Sequence, residues 1–299
     1  LGQFIEQLNA QNPITFTNNT YFTAIQGKNF AKLYQKNFAF FTYQKELING
    51  ILLTGRVEYE DRSPLTNQAT FNLFDNDFSP NDPTNSEIGA TTFPRHQALT
   101  ASVRFRIRFN QKYIDRPDRK IVMNSKFPDL YVYMKKAFSI IGSDVNYNLV
   151  KLGLTHKMRL GQFGTSDLAF WSGAFVGKKE LYFTDFQHFN GNRSYLASQG
   201  VVNQFQVLDY YRFSTQDKFT ELHFEHHFNE FIFNKIPLIK RLNLQAVGSF
   251  NYLTTPALGQ YMEFGAGIEH IFRFLRIDYF TAIRNGNYYG SGIRIGAGF

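Results

Sequence analysis

The sequence predicts an all-β chain: a transmembrane antiparallel up-and-down β-barrel of about twelve strands. Three observations lead there. Apolar and polar residues alternate over stretches of roughly 9–11 residues, the length a tilted strand needs to cross a bilayer. Aromatic residues are abundant, with 34 Phe and 17 Tyr among 299 residues, as in the girdles of membrane barrels. Mean hydropathy is only -0.32, and no run of about 18 apolar residues exists to form a membrane-spanning helix. Alternating strands leave that modest average because the two faces cancel.

Residues 1–30 lack clean alternation and read as a helical or irregular lead-in, with the barrel expected over 31–299. Strands are expected at 31–48, 51–62, 97–111, 128–139, 146–161, 166–177, 201–214, 219–234, 241–253, 261–273, 275–284 and 291–299. Up to about sixteen strands would be present if others lie upstream. The clearest stretch is LTASVRFRIRF. Leu99, Ala101, Val103, Phe105, Ile107 and Phe109 share one face; Thr100, Ser102, Arg104, Arg106 and Arg108 share the other. VKLGLTHKMRL sets Val150, Leu152, Leu154, Met158 and Leu160 against Lys151, Gly153, Thr155, Lys157 and Arg159. In MEFGAGIEHIF, Met262, Phe264, Ala266 and Ile268 oppose Glu263, Gly265, Gly267 and Glu269. Glycines at polar-face positions 265, 267, 296 and 298 suit a crowded lumen.

The chain ends on SGIRIGAGF, with Ile293, Ile295, Ala297 and Phe299 on one face. A closed barrel pairs its last strand with its first, which leaves no edge to fray. Phe299 is expected at the membrane interface, where aromatics concentrate. The connections are of two kinds. GQFGTSD is tight, whereas 64–96 and 178–200 are long, and 112–127 is a basic, Pro-broken loop. Short turns at one end and long loops at the other fit an outer-membrane barrel.

Cys is absent, which removes any disulfide framework or thiolate metal site. The chain opens at Leu1 without a leader and reads as a mature or truncated piece. The net charge of +8 and pI near 9.4 would suit nucleic acid on a soluble protein. The basic residues are spread along strands rather than gathered in an arm, so no nucleic-acid partner is expected. A basic lumen, or basic ends meeting anionic headgroups, explains the charge better.

Four groupings could carry chemistry. His223, Glu225 and His227 share a strand face, but steps of about 7 Å let one ion reach at most two of them. A polar row balancing nearby Arg and Lys is the simpler reading, and no metal or cofactor is expected. Arg104, Arg106 and Arg108 form a positive row for anions or lipopolysaccharide phosphates, or else pair with Glu58, Glu60 and other carboxylates on neighbouring strands. His188 lies near Asp185 and Ser194, a grouping that could be drawn as a triad, but no Gly-x-Ser-x-Gly elbow exists and no enzyme is expected. Asp185, His188, Asn190, Gly191 and Asn192 read better as a loop hydrogen-bonded into the lumen, plugging or bracing it.

HFNGN, ELHFEHHFNEFIFNKIPLIKRLNLQAVGSFNYL, YMEFGAGIEHIFRFLRIDYF and GIRIGAGF, with NFAKLYQKNF, GRVEYEDRSPL, QKYIDRPDRK and IIGSDVNYNLVKLGL, resemble one family from about residue 29 onward. It is the Gram-negative outer-membrane barrel family of unknown function whose members carry an N-terminal carboxypeptidase-regulatory-like domain. The resemblance implies the membrane portion of a longer protein in the outer membrane. Its expected partners are lipid, lipopolysaccharide and other envelope proteins in a complex. A more distant likeness is to the BamA/TamA surface-antigen barrels, through FGAGIEHIFRFLRIDYF and GIRIGAGF. Their inward loop carries an Arg-Gly-aromatic motif, which TDFQHFNGNRSYL lacks, and no POTRA domain is present here. The expected function is a plugged, non-enzymatic membrane subunit or anchor. The alternatives are an assembly or export barrel, and a passive channel for small solutes.

Overall fold

The computed structural model describes residues 1–123, 125–196, 203–237 and 240–297. Twelve strands form one sheet in which every strand pairs antiparallel with its sequence neighbour. They are β1 (Gly2–Gln7), β2 (Leu33–Ile48), β3 (Ile51–Pro64), β4 (His96–Arg108), β5 (Asp129–Phe138), β6 (Asn146–Arg159), β7 (Thr165–Glu180), β8 (Lys218–His227), β9 (Gln245–Thr255), β10 (Gly259–Ile271), β11 (Leu275–Arg284) and β12 (Asn287–Ala297). The helix α1 (Phe16–Gln26) precedes β2. Thr15 caps it by accepting from the Asn18 N–H, and Gly27 ends it in the left-handed region at φ 68°. Between β11 and β12 the two-residue loop Asn285–Gly286 has φ of 49° and 80°. Positive φ at both positions matches the twist of a hairpin and favours Asn-Gly.

Both ends carry short and long connections, so the expected segregation of short turns from long loops is not found. Residues 49–50, 160–164 and 272–274 turn at one end, which also carries the longer connections that follow β4 and β8. Residues 8–32, 65–95 and the described residues 181–196 and 203–217 lie at the other, where they bind one another, together with the short connections 139–145, 256–258 and 285–286. Asn85 Nδ2 donates to the carbonyls of Tyr211 and Ser214, each at 2.9 Å, and Lys32 Nζ donates to the Pro80 carbonyl at 2.6 Å. Tyr113–Asp115 and Lys120–Val122 form a small hairpin inside the 112–127 loop.

The two faces of the sheet differ as the alternation requires. Val57, Met134, Val150, Leu152, Phe264, Tyr279 and Ile293 point outward and are exposed. Lys36, Glu60, Arg62, Glu225, Glu263, Arg276, Asp278 and Arg294 point inward and are buried. Glycine makes room on the inner face. A Cβ on Gly265 would strike the Phe280 ring, and one on Gly267 would strike the Asp278 carboxylate.

The sheet curls but does not close on itself. A flat sheet of twelve strands would be about 50 Å wide. Yet Asn9, just past β1, bonds Asn190 at 3.0 Å, while Arg294 on β12 bonds the carbonyl of Asn192, two residues on, at 3.1 Å. The edges therefore approach each other across one short piece of chain. The expected pairing of last strand with first is not formed among the described residues. Instead the Ile295 N–H on β12 donates to the Tyr195 carbonyl at 2.9 Å, and Leu196 forms a parallel bridge with Ile295. Tyr195 in turn packs edge-on against Tyr21 and Phe22 of α1.

Two sequence expectations are corrected. Residues 201–214 are not a strand over their described part, and Gly2–Gln7, left in the irregular lead-in, is one. The count of twelve survives because these errors cancel. Residues 204–208 misled because Gln204, Phe205, Gln206, Val207 and Leu208 are all buried, with no solvent side to create alternation. The expected strand over 219–234 stops at His227, and the last begins at Asn287 rather than 291.

Candidate functional site

Between β7 and β8, the described residues 181–196 and 203–217 form a strap across the inner face. Irregular backbone in such a place needs partners for its N–H and C=O groups, because buried unpaired groups are costly. Two sets of charged side chains supply them. On β10, Glu263 is fully buried and accepts from three strap N–H groups: Gln206 at 2.7 Å, Val207 at 2.8 Å and Leu208 at 3.1 Å. Tyr261 and Asn251 donate to the same carboxylate at 2.6 and 3.1 Å. On β12, Arg294 donates to the carbonyls of Gln206 and Asn192. A carboxylate thus takes the N–H of Gln206 and a guanidinium takes its C=O.

The second anchor holds the strap's first turn against the opposite part of the sheet. Asp185 Oδ1 accepts from Arg62 Nη1 at 2.8 Å and from the Tyr147 hydroxyl at 2.9 Å. Burial alone would raise the Asp185 pKa, but the Arg62 guanidinium beside it and Lys135 hold the carboxyl below its usual range. Arg62 also binds Glu60, which pairs with Lys36 at 2.8 Å, so the charge chain runs from the strap through β3 to β2.

The five loop residues singled out in the sequence are all buried in this strap. Asp185 is the anchor just described. His188 hydrogen-bonds through Nδ1 to the Ser214 hydroxyl at 2.8 Å and lies edge-on to Phe183 and Tyr211. Burial pushes its pKa down to about 3. Asn190 reaches Asn9 beside β1. Gly191 passes so close to the returning chain that a Cβ would lie 2.6 Å from the Leu208 carbonyl oxygen. Asn192 Oδ1 accepts from the N–H and hydroxyl of Ser194, both at 2.8 Å. The triad that could be drawn from sequence does not assemble, since His188 meets Ser214, Ser194 meets Asn192, and Asp185 meets Arg62.

The positive row divides. Arg108 pairs with Asp129, its Nε 2.7 Å from Oδ1. Arg104 lies over the Tyr133 ring, 5.6 Å from its centroid. The expected pairing of this row with Glu58 and Glu60 is not formed, because Arg56, Lys36 and Arg62 take those carboxylates. His223, Glu225 and His227 point inward as a row, each with its own partner. His223 meets Asn251 at 2.9 Å, Glu225 meets Arg276 at 2.8 Å, and His227 sits between Glu225 and Glu269 at 2.8 and 2.9 Å. No cluster of three or more metal-ligating side chains occurs among the described residues. Phe299 lies outside the described residues.

Sequence reasoning missed Glu263 and Arg294 as anchors. The available signal was an inward carboxylate followed by two inward glycines on β10, and one inward Arg among the glycines of β12.

No curated protein matches the chain. Residues 1–268 match the family of unknown function (DUF5686) C-terminal domain, which spans nine-tenths of the sequence, and the chain belongs to that family.

Proposed function

We propose that this chain is the membrane-embedded part of a Gram-negative outer-membrane protein: a β-barrel plugged by its own strap, serving as a non-enzymatic subunit or anchor in an envelope complex. One observation carries the reading. The outward face exposes Phe, Ile, Leu, Val and Met, while Lys, Arg, Asp and Glu are buried inside. Water makes that distribution unfavourable, since soluble monomers rarely expose large contiguous apolar areas and seldom bury charges. Lipid reverses the preference of the outward face. Twelve strands, an even number, each antiparallel to its sequence neighbour, fit such a barrel. The strap across the inner face supports a plug rather than a pore, and the upstream regulatory-like domain would be the cargo of the anchor.

Two experiments test this. The protein is expected to sediment with outer membranes and to migrate faster unheated than boiled on a gel; recovery as a soluble, heat-insensitive species contradicts it. In planar bilayers it should give no steady conductance, whereas discrete channels would favour the passive-channel reading. Stoichiometric partners in a mild-detergent pull-down would identify the complex, and recovery of a lone barrel would sink the subunit role.

A second reading is favoured by the seam. Among the described residues no ladder joins β1 to β12; Tyr195 and Leu196 bond the edge of β12 instead. A weak seam suits a barrel that assembles or exports proteins. Accumulation of unfolded outer-membrane proteins on depletion of this protein would support that role.

A further inference from the structure

The inner face at the end where β6 turns into β7 holds a cavity of about 820 Å³, lined in part by Arg108, Lys126, Lys157 and Arg159. That volume falls within the range of small-molecule sites, roughly 300–1,000 Å³. Two carboxylates line it, and each is already engaged: Asp129 holds Arg108, and Asp167 holds Lys157 at 3.2 Å. Lys126 and Arg159 have no carboxylate within ion-pair distance among the described residues. Arg106 and Arg104 continue the row along β4 away from the cavity in steps of about 7 Å, and they too lack a carboxylate partner among the described residues. Tyr133 separates Arg104 from Lys151, its ring 5.6 and 4.8 Å from the two cationic groups. Like charges along neighbouring strands repel unless something lies between them.

We infer that this mouth binds a small, multiply charged anion bearing phosphate or carboxylate groups, with Lys126 and Arg159 as its ligands beside the paired Arg108 and Lys157. Guanidinium groups match both oxyanions through paired N–H donors, and their charge survives at any working pH. The Thr155 and Ser125 hydroxyls line the same cavity and can donate to further oxygens. The apolar outward face takes no part, so this inference stands apart from the membrane reading.

The test is calorimetric titration of the purified chain, in neutral detergent at low salt, with inorganic pyrophosphate and separately with citrate. Saturable binding with one site per chain is expected. Tighter binding of pyrophosphate assigns the phosphate class, and tighter binding of citrate the carboxylate class. Arg159→Gln should weaken binding about tenfold or more. Lys126→Gln, off the strands and at the exposed rim, should weaken it as well without touching the sheet. Lys178→Gln, at the far end, should leave it unchanged. Absence of saturable binding for both anions overturns the inference. So does equal weakening by the cavity variants and Lys178→Gln, which would mean diffuse attraction to net charge.

Discussion

The two halves of the inner face use charge differently. From β8 to β12 the inward charges named above are committed: Glu263 and Arg294 hold the strap, and Glu225, His227, Glu269, Arg276 and Asp278 bind one another. From β4 to β6 the inward cations outnumber their acids. Arg108 and Lys157 have carboxylates, while Arg104, Arg106 and Arg159 do not. Charges in the first half replace the water that a buried strap has lost, so removing one strands its partner. Arg104, Arg106 and Arg159 in the second half keep contact with solvent and are available to something else. Burial with satisfied partners marks structure; cations left over around a cavity mark a binding surface.

The largest effect that would break this contrast lies at Glu263. Glu263→Ala removes the acceptor of three backbone N–H groups, a Tyr hydroxyl and an Asn amide, all buried. A loss of about 3–5 kcal/mol is expected. Hydrogen exchange at Gln206, Val207 and Leu208 reads it, and unchanged protection there would dismiss Glu263 as the anchor. Next comes Asp185→Asn. It leaves Arg62 with one buried acid, Glu60, in place of two, at a cost of about 2–4 kcal/mol. The midpoint of thermal unfolding should drop, and the change should be smaller in Arg62→Met/Asp185→Leu, which removes both charges.

Acid should loosen the strap before the sheet. His188 is held neutral with a folded pKa near 3 against an ordinary 6.5. The unfolded state therefore binds the extra proton between pH 6.5 and 3, so stability falls as pH falls through that window. The slope from this group is about 1.4 kcal/mol per pH unit. Asp185 acts in the same direction at the lower end, because its folded pKa is depressed and its stabilisation is lost on protonation. Exchange rates in residues 181–196 compared with those in β5 and β6 would show it, and His188→Phe should flatten the upper part of the profile. The smallest effect belongs to the other half. Arg106→Gln should change stability by no more than about 0.5 kcal/mol, since the side chain is half-buried and pairs with no carboxylate among the described residues. A large loss there would erase the distinction between the halves.

Much of the sheet was readable because its outer face is largely apolar. The alternation in Leu99–Arg108 and Met262–Glu269 records which side chains meet the inner face, and both strands stand in register with their neighbours as that pattern requires. Alternation fails where both sides of a strand see the same environment. Gln204–Leu208 is buried on every side and imitates a strand. Gly2–Gln7 is a short edge strand with exposed Phe4 and Ile5, too brief to show a period. The strap was legible as an inward loop from Asp185, His188, Asn190, Gly191 and Asn192. Its anchors were not, because they come from β3, β10 and β12, and only folding brings them to it. The closed seam was expected from the terminal strand pattern, but Tyr195 and Leu196 occupy the edge of β12 instead.

The central claim, that lipid bathes the outward face while the inner face is polar and strapped, has a direct test. The chain contains no Cys, so single spin labels can be placed cleanly. Ile277→Cys and Tyr279→Cys point outward on β11, and Ser249→Cys points inward on β9. Each labelled protein is placed in bilayers, and its accessibility to oxygen and to a water-soluble nickel chelate is measured. High oxygen and low nickel accessibility is expected at residues 277 and 279, with label 249 shielded from the lipid. Free access of the nickel chelate to residues 277 and 279 would mean that water covers the outward face, and the membrane account would be wrong.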